Sequence, residues 1–97
     1  MEIKYFKMMN GEEVIAKAKK VNSDWYMEDP AQIIHLQEYK LGLANWLQYT
    51  TIKEGALIPT TAIMFATDVA EDMIEYYGRW VDPNLVVEQD AVTEVNK

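Results

Sequence analysis

Apolar and polar residues alternate with a period of two along much of the first 67 positions, the spacing of strands that turn one face to a core. Ile3 to Met9 opens the pattern, with Phe6 and Met8 on one face and Tyr5 and Lys7 on the other. Asn10-Gly11 tolerates positive φ and predicts a two-residue hairpin turn into the run that begins at Glu12. From there to Val21, the small apolar residues Val14, Ala16 and Ala18 alternate with Ile15, Lys17 and Lys19. The first set predicts a core face and the second a face in water. Asn22-Ser23-Asp24 supplies side chains that bond their own backbone, which predicts another turn. Trp25-Tyr26-Met27 then opens a third strand that resumes at Ala31 and runs to Gln37. Between its halves, Pro30 cannot donate to a ladder and marks a bulge, a bend or an edge.

A turn near Lys40-Leu41-Gly42 predicts a fourth strand from Leu43 to Ile52, where Thr50, Thr51 and Ile52 favour strand over helix. Lys53-Glu54-Gly55 is the next turn. Ala56 to Ala66, punctuated by Pro59-Thr60-Thr61, predicts two short strands or one bent one. After Thr67 the period changes. Val69, Met73, Ile74, Tyr77 and Trp80 recur at helical spacing, and Asp68, three residues before Glu71, suits a helix N-cap. Asp68, Glu71 and Asp72 would place negative charge at the positive end of the dipole. The predicted helix covers about residues 68–80. Residues 1–81 then form one domain, and 82–97 form an acidic, mobile tail whose only apolar cluster is Leu85-Val86-Val87.

The first strand, the Asn10-Gly11 turn, the Glu12-x-Val14-x-Ala16 strand ending at Val21, and the turn bearing Asp24 together resemble the first sequence motif of the Sm/LSm proteins, which include Hfq-like members. Ala56-Leu57-Ile58, Pro59-Thr60-Thr61 and Ala62-Ile63-Met64-Phe65 are similar to the second motif, and the resemblance spans about residues 3 to 67. Family members are small RNA-binding subunits that close into rings. The resemblance implies a mainly β fold, a strongly bent five-stranded antiparallel open barrel, with the C-terminal helix appended. It also implies a homo-oligomeric ring of about five to seven subunits, in which neighbours pair their fourth and fifth strands. Single-stranded RNA, or less readily DNA, would bind at turns 22–26 and 58–61 lining the pore. In two places the chain departs from the family pattern. Trp25-Tyr26 follows Asp24 directly, where the family carries Met/Leu-Asn, and Pro59-Thr60 stands where the family often carries Arg-Gly. The chain is also similar in composition to small proteins of marine tailed phages, which implies the cytoplasm of a bacterial or phage-infected cell.

Composition sharpens this picture. Ninety-seven residues with 49% apolar content suit one modest core. Without cysteine there are no disulfide staples or thiolate metal sites, so stability has to come from packing or association. No run approaches the roughly 18 apolar residues of a membrane span, and Met1-Glu2-Ile3-Lys4 does not open a signal peptide. A net charge of −7 argues against a simple nucleic-acid binder, but the charge is unevenly placed. Residues 1–67 carry eight acids and seven lysines, whereas 68–97 carry eight acids against Arg79 and Lys97. The body can therefore still present a basic surface.

Catalytic and metal chemistry find little support. His35 is the only histidine and Ser23 the only serine, with neither a nearby base nor a phosphate loop. Asp24, Glu28 and Asp29 lack the spacing of a calcium loop. No enzymatic activity, cofactor or metal is expected. The sharper candidates are Trp25 and Tyr26, which alternation sends to opposite faces, so that one can stack a base beside Asn22 and Asp24. Lys17 and Lys19 share a strand face and can meet phosphates. With Ile58, Pro59 and Thr60 from the second motif, these are the candidate nucleic-acid contacts. A protein-assembly ring without nucleic acid is the alternative, favoured by the two departures.

Overall fold

The computed structural model describes residues 1–38 and 40–84. Strands β1 (Glu2–Met8), β2 (Glu13–Val21), β3 (Asp24–Gln37), β4 (Lys40–Asn45), β5 (Ala56–Ile58) and β6 (Ile63–Asp68) precede helix α1 (Glu71–Val81). They form one antiparallel sheet ordered β4-β3-β2-β1-β6, with β5 also paired to β3. Among the described residues there are thus six strands rather than five. Although a short 3₁₀ turn, Thr60–Ala62, joins β5 to β6, the two strands do not pair, and the sheet stays open.

Turn chemistry sets the registers. The first hairpin closes through Met8 N–H to Glu12 O at 2.8 Å and Gly11 N–H to Met8 O at 2.9 Å, a three-residue loop instead of the expected two. A two-residue type I′ turn needs positive φ at both central positions, but only Gly11 (φ +96°) adopts it here. Asn10 Oδ1 instead accepts the Glu12 N–H at 2.9 Å. The second turn is the two-residue one. Val21 pairs with Asp24, and Asn22 takes φ +58° between them.

The core face follows the alternation in the sequence. Phe6, Met8, Val14, Ala16, Ala18 and Met27 are buried on it. The opposite face of β2 is not in water throughout, because Ile15 is only 1% exposed. It lies under α1 in a second cluster with Ala31 and Tyr77. Strand β3 reaches both clusters by bending. Lys17 pairs with Glu28 and Ile15 with Ala31, which leaves Asp29 and Pro30 together opposite Ala16. Asp29 takes φ +49° there. Its carbonyl, turned out of the ladder, accepts the Tyr77 hydroxyl at 2.6 Å, and its carboxylate lies 3.2 Å from Lys17 Nζ.

Two elements differ from expectation in their boundaries. The chain reverses between Gln37 and Lys40, and β4 stops at Asn45 instead of running to Ile52. Trp46 turns into the core, its N–H donating to Pro30 O at 3.2 Å and its indole to Glu12 Oε1 at 3.0 Å. Leu47 then adopts φ +51°. Thr50 Oγ1 donates to Leu47 O at 2.8 Å, the local competition with the ladder that threonine offers. Burial of Trp46 and Ile52 outweighs the strand propensity of the threonines. Helix α1 begins later than residue 68. Asp68 completes β6 and pairs with Lys4 Nζ at 2.5 Å, while Ala70 occupies the N-cap without a side-chain bond. Glu71 and Asp72 do occupy the first turn. The expectation of a mobile tail falls mostly on residues 85–97, outside the described residues.

Two predictions follow from this packing. Tyr77→Phe removes the donor to the bulge carbonyl and should cost about 1 to 2 kcal/mol in urea denaturation, with Tyr77→Ala costing about 3 or more; equal stabilities of Tyr77→Phe and the parent would show the bond to be idle. The second concerns Glu13, where Tyr5 Oη at 2.6 Å and His35 Nε2 at 3.0 Å converge. The Tyr5 hydrogen bond, then that of His35, holds the Glu13 carboxyl below its ordinary value. Such a group contributes stability above the ordinary value and loses it as pH falls through the depressed one. Stability measured downward from about pH 4.5 should therefore fall more steeply in the parent than in Glu13→Gln.

Candidate nucleic-acid interface

Because Asn22-Ser23 forms a two-residue turn, Lys20 is held opposite Trp25 and Lys19 opposite Tyr26. Alternation then puts the first pair on the core side of the sheet and the second on the helix side. In both pairs the ammonium approaches the ring. Lys20 Nζ lies 5.3 Å from the Trp25 centroid and Lys19 Nζ 5.8 Å from that of Tyr26, within the range of a cation–aromatic attraction. Both faces of one hairpin tip therefore carry an aromatic ring with a lysine against it.

Each ring is also held from elsewhere. Trp25 meets Phe6 edge to face, with centroids 5.2 Å apart and planes at 75°. Tyr26 Oη donates to Glu28 Oε2 at 3.1 Å, a bond that raises the phenol pKa. The Tyr26 ring lies across Gly55, whose φ of +129° and lack of Cβ leave room for it. A side chain at position 55 would strike the hydroxyl.

The tip is fastened to the 3₁₀ turn after β5. Asp24 Oδ1 accepts the Thr60 N–H at 3.0 Å, and the Thr60 hydroxyl donates to Ser23 O. In the ladder, Trp25 pairs with Ile58 and Tyr26 with Leu57. Residues from two distant stretches, Asn22, Asp24, Trp25 and Tyr26 with Ile58, Pro59 and Thr60, thus meet at one end of the sheet. Ile58 is buried in the core cluster that Trp25 also packs against, and with Pro59 it lines an apolar hollow of about 330 Å³ beside Met8, Met9 and Trp46.

Of the two lysines expected to meet phosphates, Lys19 belongs to this end. Lys17 lies one repeat further along β2 and is engaged by Asp29. Lys20 takes its place. It lines a polar hollow of about 450 Å³ with Met1, Lys4, Lys19 and Trp25. Lys4 is already paired with Asp68 at 2.5 Å and Glu2 at 3.3 Å, bonds that raise its pKa. Among the described residues the Lys20 ammonium donates to Ser23 O, at 3.3 Å. The signal for Lys20 was present in the chain. A two-residue turn at 22–23 fixes its register with Trp25, but its alternation with Ala16 and Ala18 makes it look like a core-facing position.

His35 lies apart from this end, against Glu13. Among the described residues no three His, Cys, Asp or Glu side chains are placed to hold a metal ion. None of the helices there is long and apolar enough to cross a membrane. No protein-family model matches the sequence, and no curated protein matches it either.

Proposed function

We propose that the chain is an Sm-like ring subunit that binds single-stranded nucleic acid, RNA in preference to DNA, at the tip of the β2–β3 hairpin. The observation that carries this reading is the lysine–aromatic pair on each face of that tip, held to the turn at Thr60. An arriving phosphate draws the ammonium groups of Lys19 and Lys20 away from the rings, and the exposed ring surface then stacks a base. Asn22, next to the tip, offers an amide that can meet a base edge. The preference for RNA comes from the resemblance of the two motifs to Sm/LSm proteins.

Binding of labelled oligo-U, oligo-A and oligo-dT, followed by fluorescence anisotropy at several salt concentrations, tests the reading. Tyr26→Leu should weaken binding by about 1 to 3 kcal/mol with little change in salt slope. The double variant Lys19→Gln/Lys20→Gln should flatten the slope by about 1.4, from ~0.7 per phosphate contact on a single strand. Absence of saturable binding to all three oligonucleotides would overturn it.

A ring that assembles proteins without nucleic acid is the second reading, and one observation favours it. Among the described residues, strands β5 and β6 each keep an unpaired edge, and near these edges Leu57, Met64 and Phe65 are 53%, 55% and 50% exposed. Main-chain pairing of β5 with β6 of a neighbour would cover them. Both readings require the oligomer. Sedimentation at micromolar concentration should find the parent assembled and Phe65→Lys shifted toward monomer; a monomeric parent would defeat the ring.

A further inference from the structure

The helix side of the sheet holds another hollow, bounded by β1, β2, β3 and the start of α1, with a volume of about 220 Å³. An apolar cavity of about 150 Å³ takes a benzene molecule, so a ring-sized body fits. Ile15, Ile33 and Met73 form its apolar wall. At its polar rim stand Tyr5, Glu13 and His35, together with Asp68.

The hydrogen bonds at this rim decide what head group it can take. Tyr5 gives its only hydroxyl proton to Glu13 Oε2 at 2.6 Å. His35 Nε2 lies 3.0 Å from Glu13 Oε1, and the tautomer that donates there leaves Nδ1 an acceptor. With these donors turned onto Glu13 and Asp68 Oδ1 held by Lys4, the rim offers acceptors: unused lone pairs of the Glu13 carboxylate, the Tyr5 oxygen, and the second oxygen of Asp68. A head group that only accepts hydrogen bonds would leave them unmet. A cationic donor satisfies several at once and matches the charge.

We propose that this hollow binds a small primary amine with an apolar body, its ammonium on Glu13 and its body against Ile15, Ile33 and Met73. The start of α1 also borders the hollow and by itself favours an anion, but Glu71 and Asp72 in its first turn oppose that. The site is independent of the hairpin tip and of the nucleic-acid reading.

The test is titration of the full chain with 2-phenylethylamine at pH 7, followed by amide NMR shifts and calorimetry, alongside the same-shaped anion 3-phenylpropionate. The amine should give saturable shifts at Ile15, Ile33 and Met73, and the anion none. Glu13→Gln should weaken the amine about tenfold, as loss of a charge-assisted bond at a partly open rim implies. Met73→Phe, which narrows the hollow, should weaken it as well and serves as the check should Glu13→Gln not fold. No saturable shift with the amine, binding of the anion as tight as that of the amine, or unchanged amine affinity in either folded variant would overturn the proposal.

Discussion

The fourteen residues of β3 have more partners than a straight strand can hold. One edge lies along β2 from Asp24 to Gln32, while the other pairs with β5 in its first half and β4 in its second. The bend at Asp29-Pro30 makes this division possible. Proline has no N–H to offer, and the extra residue leaves the Asp29 carbonyl outside the ladder. Both consequences are answered within the fold: the carbonyl takes the Tyr77 hydroxyl, and the carboxylate takes Lys17. The helix is thereby fixed to the place where the strand changes direction.

From that bend follows the placement of both candidate sites. The first half of β3 carries Trp25 toward the core and brings the hairpin tip beside Thr60. The second half carries Ile33 and His35 onto the helix side, where they join Tyr5 and Glu13. The two proposed sites, of opposite charge, therefore share one strand. On these proposals the lysines at the tip would take an anion, and Glu13 under the helix a cation. The distribution matters more than the net charge of −7.

The core was legible from residue types because alternation survives local error: Phe6, Met8, Val14, Ala16 and Ala18 needed only the period, not the turn geometry. Pro30 likewise announced its bulge through a missing donor. The candidate site was legible in part. Asp24 and Thr60 could be paired only through likeness to a two-motif pattern, since nothing local links positions 36 apart. Lys17 has Asp29 for a partner, a contact that only the bulge creates. The fourth strand failed for a tertiary reason, the burial of Trp46, which outweighs the propensity of the threonines after it. Asp68 met a stronger claim from Lys4 across the sheet than from the helix beside it. The Tyr5, Glu13 and His35 grouping joins three strands and had no signature in the order of residues.

Strand β2 is sealed on both sides along Val14, Ile15 and Ala16, each no more than 1% exposed. Its two buried alanines let the surrounding walls approach closely, so even one added methyl has nowhere to go without moving a neighbour, at about 1 to 3 kcal/mol. Sequence change in this domain is therefore channelled. Leu47, Tyr49 and the other exposed residues between β4 and β5 can be exchanged or lengthened at little cost, whereas the centre of β2 can alter only in concert with the strands and helix pressed against it. A library built on this scaffold would keep its diversity in that connection and leave the central strand untouched.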